Sequence, residues 1–151
     1  YMVHDNLLDL NLLRSPTNPD PDADKGSHSF TYSLFPHKDN LIHSDVISEA
    51  SCLNQEPILF EGMSGKVKIP LKLIGEGLEL SVLKKAEKED AWIIRVVETH
   101  GRVSSGSIEL NGEIAECDLM EWKELSKREI VNGSFRMKFN PFEIKTFKIL
   151  Y

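Results

Sequence analysis

Cysteine is scarce in this sequence, and positive charge is outnumbered. Only Cys52 and Cys117 occur among 151 residues, too few for a disulfide scaffold. We read both as reduced, buried thiols of an intracellular, cytoplasmic protein. Eighteen Lys and Arg stand against 24 Asp and Glu, for a net charge of −6. The basic footprint of a nucleic-acid binder is therefore missing, and no nucleic-acid partner is expected. No apolar run approaches the roughly 20 residues of a membrane-spanning helix, so no membrane partner is expected. The opening Tyr1-Met2-Val3-His4-Asp5 has neither a basic n-region nor an apolar h-region, so no signal peptide is expected. A strand-like segment follows almost at once, as in a piece cut from something longer. What is present is ordinary: 40% hydrophobic residues, enough for a folded domain and against wholesale disorder.

Periodicity assigns most of the chain to strands. Leu8, Leu10 and Leu12 alternate with polar residues, the pattern of a half-buried strand. From Pro16 to about Gly26, Pro16, Pro19 and Pro21 fix φ and remove amide donors, giving a stiff acidic loop. Phe30, Tyr32 and Leu34 alternate as a second strand. Ile42, Val46, Ala50 and Leu53 step by helical spacing, with Asp39 or Asn40 as cap and Asn54 with Pro57 as the end. Leu78, Leu80 and Val82 alternate, Trp92 to Val97 is a β-branched run, and strands are expected at 114–122, 135–139 and 142–150. Asn111-Gly112 and Asn132-Gly133 are strong hairpin-turn signals. The sum is an all-β protein, an antiparallel β-sandwich of roughly ten strands with one short helix.

Complete catalytic constellations are missing. Asp20, Asp22 and Asp24 form D-x-D-x-D, but Gly26 and Thr31 fall where a calcium loop needs its glycine one position earlier and its glutamate. The bland reading, a polar turn-rich loop, is preferred. None of the five histidines has a partner four residues away, no CxxC occurs, and no metal site is expected. His28 and His37, nine apart, point to opposite faces of a strand. Asp118 with Glu121, and Glu113 with Glu116, read as solvated strand carboxylates that face apart, unlike the facing pair of a glycosidase. Ser104, Ser105 and Ser107 lie in no nucleophile elbow. Asn132-Gly133-Ser134 matches a glycosylation sequon but reads more simply as a turn. Lys84, Lys85 and Lys88 interleave with Glu87 and Glu89 as a mixed surface.

Three stretches carry a resemblance. Leu12-Leu13-Arg14-Ser15-Pro16 runs on through Pro19-Asp20, Ala23-Asp24, Gly26, His28, Phe30-Thr31-Tyr32 and Pro36-His37. Val82 to Glu87 is followed by Arg95, Glu98 and Gly101, and Pro141 to Phe147 reads PFEIKTF. Together these resemble the C-terminal region of glycoside hydrolase family 38, the zinc-dependent retaining α-mannosidases, in the branch with cytosolic, vacuolar and bacterial enzymes. Val97 departs from the family's usual aromatic before Glu98. The resemblance implies that residues 1–151 are the C-terminal β-sandwich region, of the galactose-mutarotase-like supersandwich type. Catalytic barrel and helical bundle are absent, and so are the nucleophile and the zinc ligands. No cofactor is then expected on this chain, and zinc is expected in the missing catalytic domain. The implied partners are an oligosaccharide with terminal α-mannose and the remaining domains of the same chain.

One site role follows from the resemblance. The family's sandwich sends a loop toward the cleft, and its arginine frames substrate. Arg14 is the candidate, with Asp20 and Asp24 orienting it; the alternative is a plain ion pair between Arg14 and the acidic loop. The rival function is an autonomous carbohydrate-binding sandwich, which needs exposed aromatics. Only Trp92 and Trp122 are available, both in strand patterns expected to bury them. A plain interaction module is the third reading.

Overall fold

The computed structural model describes residues 1–55, 59, 61–62 and 71–150. It contains eight strands, one 3₁₀ turn and one α-helix among them, and divides into two compact units, residues 1–57 and 58–151. No helix of the described residues is long and apolar enough to cross a membrane.

The first unit opens with a hairpin of β1 (Met2–His4) and β2 (Leu7–Asp9), in register Val3 to Leu8, turned at Asp5 with φ 50°. The strand expected through Leu12 thus stops at Asp9, where β1 ends and no ladder partner remains. Phe30 to Leu34 belongs to no strand. Its alternation is real, but among the described residues no neighbour offers it a ladder. His28 and His37 instead stack on Phe30 and Phe35, with centroids 6.0 and 6.4 Å apart. The expected helix divides in two. Asn40 caps a 3₁₀ turn, Leu41–His43, by accepting from the His43 amide at 3.1 Å. Then the Ser44 hydroxyl donates to Leu41 O at 2.9 Å and accepts from Val46 N at 3.4 Å. This local substitute for helical bonding separates the turn from α1, Val46–Asn54. Pro57 lies outside the described residues. Cys52, expected to be buried, is exposed on α1, since no side chain of this helix is buried.

The second unit is an antiparallel sheet of β3 (Lys72–Ile74), β4 (Leu78–Lys85), β5 (Trp92–Glu98), β6 (Ser104–Cys117), β7 (Glu129–Phe139) and β8 (Ile144–Leu150). The order is β3-β6-β8-β5-β4, with β7 also on β6. Strand β6 pairs with β7 along residues 104–114, with β3 at 107–109, and with β8 at 113–117. A strand has two edges, so β3 and β8 share one edge of β6 at different heights. The sheet curls there, as a sandwich requires.

That geometry overturns the hairpin expectations. Neither Asn111-Gly112 nor Asn132-Gly133 is a turn. Both lie inside strands, with Asn111 opposite Asn132. Gly112 sits between the β3-paired and β8-paired parts of β6, with φ 148°, a conformation that glycine reaches more readily than other residues. The β6–β7 connection lies instead at residues 118–128. Asp118 Oδ1 accepts there from the amides of Trp122 at 2.9 Å and Lys123 at 3.3 Å, an aspartate-built turn. The expected strand 114–122 therefore ends at Cys117.

Inside the curl, Ile94, Val96, Ile108, Ile114, Met137, Phe139, Phe147 and Ile149 form one cluster, with Phe135 edge-on to Phe147 at 5.8 Å. The opposite face of the same strands is buried too: Ile93, Ala115, Cys117, Thr146 and Lys148. Burial on both faces explains why β5 reads as a nearly unbroken apolar run.

The open ends of β5 and β8 meet at Glu98, whose side chain is fully buried. Its carboxylate accepts from the amides of Gly101 (2.8 Å), Phe142 (2.9 Å), His100 (3.0 Å) and Arg102 (3.3 Å), and from the Ser104 hydroxyl (3.2 Å). Ser104 thus serves structure. Burial pushes the Glu98 carboxyl up, but the Phe142, His100 and Gly101 amides and Ser104 outweigh it and hold it below the usual carboxylate range. Glu98→Gln turns a donor toward amides that are themselves donors. We expect a loss of about 3 kcal/mol, read as a lower urea midpoint. Because the folded value is depressed, this carboxylate's stabilisation is present above the unfolded value of about 4.3 and is lost as pH falls through the folded value. The acid limb of stability should therefore be shallower in Glu98→Gln. An equally steep limb would assign the acid sensitivity to other groups.

Candidate functional site

The Arg14 loop lies in the first unit. Its guanidinium is exposed and makes no ion pair among the described residues. The acidic residues act on backbone instead. Asp24 Oδ2 accepts from the Ser15 amide at 2.9 Å, and Asp20 Oδ1 from the Asp22 amide at 2.9 Å. Asp22 pairs with Lys25. Ser15 and Asp24 both adopt positive φ, 45° and 60°, and His28 Nε2 lies 2.9 Å from Asp24 O. The structure therefore joins Asp24 to the residue beside Arg14 and closes a loop over residues 15–24, with the guanidinium in no ion pair among the described residues.

A second arrangement, in the second unit, escaped the sequence reading. A β-bulge in β4 lies between Leu80 and Val82. Before it, Leu78 and Leu80 stand opposite Glu98 and Val96. After it, Val82 and Lys84 stand opposite Arg95 and Ile93. Val82 thus leaves the face of Leu78 and Leu80, contrary to their simple alternation, and Lys84 joins Arg95. Arg95 donates from Nε to Thr146 Oγ1 (3.1 Å) and from Nη2 to Leu119 O (3.1 Å), and it pairs with Glu121 (3.3 Å). Lys84 Nζ lies 3.0 Å from the other Glu121 oxygen. Glu121 adopts φ 65°, a conformation costly for a non-glycine residue, held by two cations and the Asp118 turn.

This clamp fixes residues 118–122 over the sheet and forms one wall of a cleft of about 320 Å³ against the β4–β5 turn. Trp122, expected to be buried, is 66% exposed there. Lys88 Nζ lies 4.1 Å from its ring centroid. Trp92 is also partly exposed, at 38%. Asp118 and Glu121 are loop residues, not strand carboxylates, and each is engaged: one with amides, one with cations. Glu116 pairs with Lys145 at 3.3 Å. Among the described residues no three His, Cys, Asp or Glu side chains converge to hold a metal. The missed signal was Asp118 itself: an aspartate that starts a turn cancels the strand pattern behind it.

Fold and clamp define an antiparallel β-sandwich domain whose charged residues serve its closure. Residues 77–147 match the family model described as glycosyl hydrolases family 38 C-terminal beta sandwich domain. Alpha-mannosidase G of Dictyostelium discoideum is 34% identical over 163 residues, covering 99% of this chain and 15% of that protein. Alpha-mannosidase 2C1 of Mus musculus is 29% identical over 155 residues, 95% of this chain and 15% of its own length. An alpha-mannosidase of Saccharomyces cerevisiae is 29% identical over 180 residues, all of this chain and 16% of that protein. The chain belongs to glycoside hydrolase family 38, and its residues 77–147 are that family's C-terminal β-sandwich domain. It spans about 15% of the length of the Dictyostelium and mouse relatives.

Cys117 lies under the clamped loop. Burial pushes its thiol up to about 11, with Asp118 and Glu121 adding to the effect and Lys148 opposing it. Both cysteines are free. At pH 8 we expect iodoacetamide to modify Cys52 in the native protein and to spare Cys117 until denaturant is added. Equal native labelling of both would show that the loop does not seal this face.

Proposed function

We propose that the polypeptide carrying this chain is a zinc-dependent retaining α-mannosidase that releases terminal α-mannose from oligosaccharides. The chain supplies its C-terminal β-sandwich, which packs against the remaining domains. The observation that carries the reading is the domain match over residues 77–147, together with alpha-mannosidases aligned along nearly the whole chain. Zinc belongs, in this reading, to the catalytic part of the polypeptide outside this chain, as the family 38 match suggests. Cytoplasmic location belongs to the same reading, supported by two free cysteines.

Arg14 is proposed to frame the substrate. Its free, exposed guanidinium can donate a fork of hydrogen bonds to sugar hydroxyls. The prolines and the Ser15–Asp24 bond reduce the entropy lost on ordering the loop. The exposure of Trp122 favours, as a second reading, a sandwich that binds carbohydrate by itself.

Full-length protein should hydrolyse an aryl α-mannoside, and the 151-residue chain alone should not. Arg14→Ala in the full-length enzyme should lower kcat/KM by roughly tenfold or more. Turnover by the isolated chain would sink the division of labour, and an unchanged kcat/KM would reduce Arg14 to a loop residue.

A further inference from the structure

We propose that the cleft between the β4–β5 turn and residues 118–122 is a binding site for a neutral saccharide, with Trp122 as its stacking platform. Three observations converge on it. The first is the display of the indole. Its backbone is held by Asp118, and the neighbouring Glu121 is locked between Lys84 and Arg95, yet the ring is left in water. A loop this firmly pinned could have turned a large apolar ring inward, where burial stabilises it by about 2–3 kcal/mol. Holding it outward suits a ligand whose own apolar face covers it.

The second observation is charge. Three cations, Lys84, Lys88 and Arg95, line the cleft against three carboxylates, Glu87, Glu89 and Glu121. The lining sums to zero, so it neither attracts a phosphate nor an acidic peptide, but it is dense in donors and acceptors. A polyhydroxylated neutral ring matches that chemistry. A protein partner matches it less well, because the buried centre of a protein interface is depleted in Lys and Glu.

The third is the ring face itself. Lys88 Nζ sits over it at 4.1 Å, so the π-face is accessible to a positively polarised group. Pyranose C–H groups are polarised in the same sense, and the quadrupole that holds the ammonium would attract them. Lys88 would then swing aside and donate to a hydroxyl. The volume, about 320 Å³, is at the small end of ligand pockets and suits one or two sugar rings. The choice of a mannoside as probe rests on the proposed α-mannosidase reading; the chemistry of the cleft does not.

The test is photoaffinity labelling of the full-length polypeptide, and in parallel of the 151-residue chain, with a mannoside bearing a diazirine on its aglycone. Labelled peptides are mapped by mass spectrometry. Label is expected within residues 84–89 or 118–123, displaced by excess methyl α-mannoside. Trp122→Ala should reduce it at least tenfold, and Trp122→Phe should retain part of it by restoring an aromatic face. Because the ring is exposed, its truncation opens no core cavity, and a thermal melt on each variant checks this. The inference is overturned if the cleft takes no label that methyl α-mannoside displaces, or if label survives Trp122→Ala. Displacement by an apolar peptide but not by the sugar would also overturn it, marking a protein-docking surface. Hydrolysis of an aryl α-mannoside by the same full-length preparation is read separately. Missing turnover sinks the enzymatic reading and leaves the labelling result standing. Normal turnover without cleft label sinks the cleft alone.

Discussion

Four backbone amides and one hydroxyl converge on the Glu98 carboxylate, which has no solvent contact. A buried charge is usually weak support for stability, since two well-packed apolar residues can replace an ion pair. That exchange is closed here. The partners are main-chain N–H groups, which no substitution removes, and each left unpaired costs about 1–3 kcal/mol. The carboxylate therefore fixes two turns at once, residues 99–104 and residues 140–143. Gly101 and Phe142 complete the closure. Gly101 has φ 69°, Phe142 has φ 57°, and a Cβ on Gly101 would meet the Phe142 ring at 2.5 Å. Glycine at 101 takes the positive φ without strain and leaves the Phe142 ring room to lie across it.

These same positions carried the family resemblance in the sequence. Arg95, Glu98 and Gly101 belong to one stretch, and Phe142 and Thr146 to another. In the folded chain Arg95 donates to Thr146 and Glu98 accepts from Phe142. The two stretches are the two halves of one lock, which gives their spacing a physical reason. Strand β4 was legible by its alternation, because burial on one face imposes period two, and β5 by its apolar run, because burial on both faces removes the alternation. The Asn-Gly turns misled because a dipeptide signal describes only local backbone preference. Which strand neighbours β6 at each height is a long-range matter, and it placed Gly112 at the bend of a sheet and Gly133 inside the β6–β7 ladder. The bulge at Ser81 was equally hidden, since one extra residue leaves the composition of β4 unchanged while reversing the faces beyond it.

Covering the second face of the sheet has a consequence for the cleft. Lys148 is buried, paired with Glu89 and within 3.9 Å of Glu124, and Arg128 forms a fork on Glu124. The Arg128 bond and burial act in opposite directions on the Glu124 carboxyl, and the bond prevails, leaving it below its ordinary value. With the Lys84–Glu121–Arg95 clamp, these pairs fasten residues 118–128 at both ends. A wall held this way loses little entropy when it meets a ligand. That distinguishes an aromatic displayed on a fixed scaffold from an exposed hydrophobic residue of the common kind.

The first unit is ordered on a different principle. None of its described side chains is buried, and Leu7, Leu8, Phe30, Tyr32 and Leu34 all stand exposed. Local bonds do the shaping: Ser15 to Asp24, Asn40 to His43, Ser44 to Leu41. Such bonds each contribute about 1 kcal/mol net, enough to select a loop conformation and far less than a core supplies. The candidate loop residues were legible because prolines and aspartates act locally, through φ and through side-chain acceptance of nearby amides. Where the Arg14 guanidinium points was not legible, because no local bond engages it. Its chemistry is therefore decided by what meets the loop, whereas the chemistry of Trp122 is decided by the sheet beneath it.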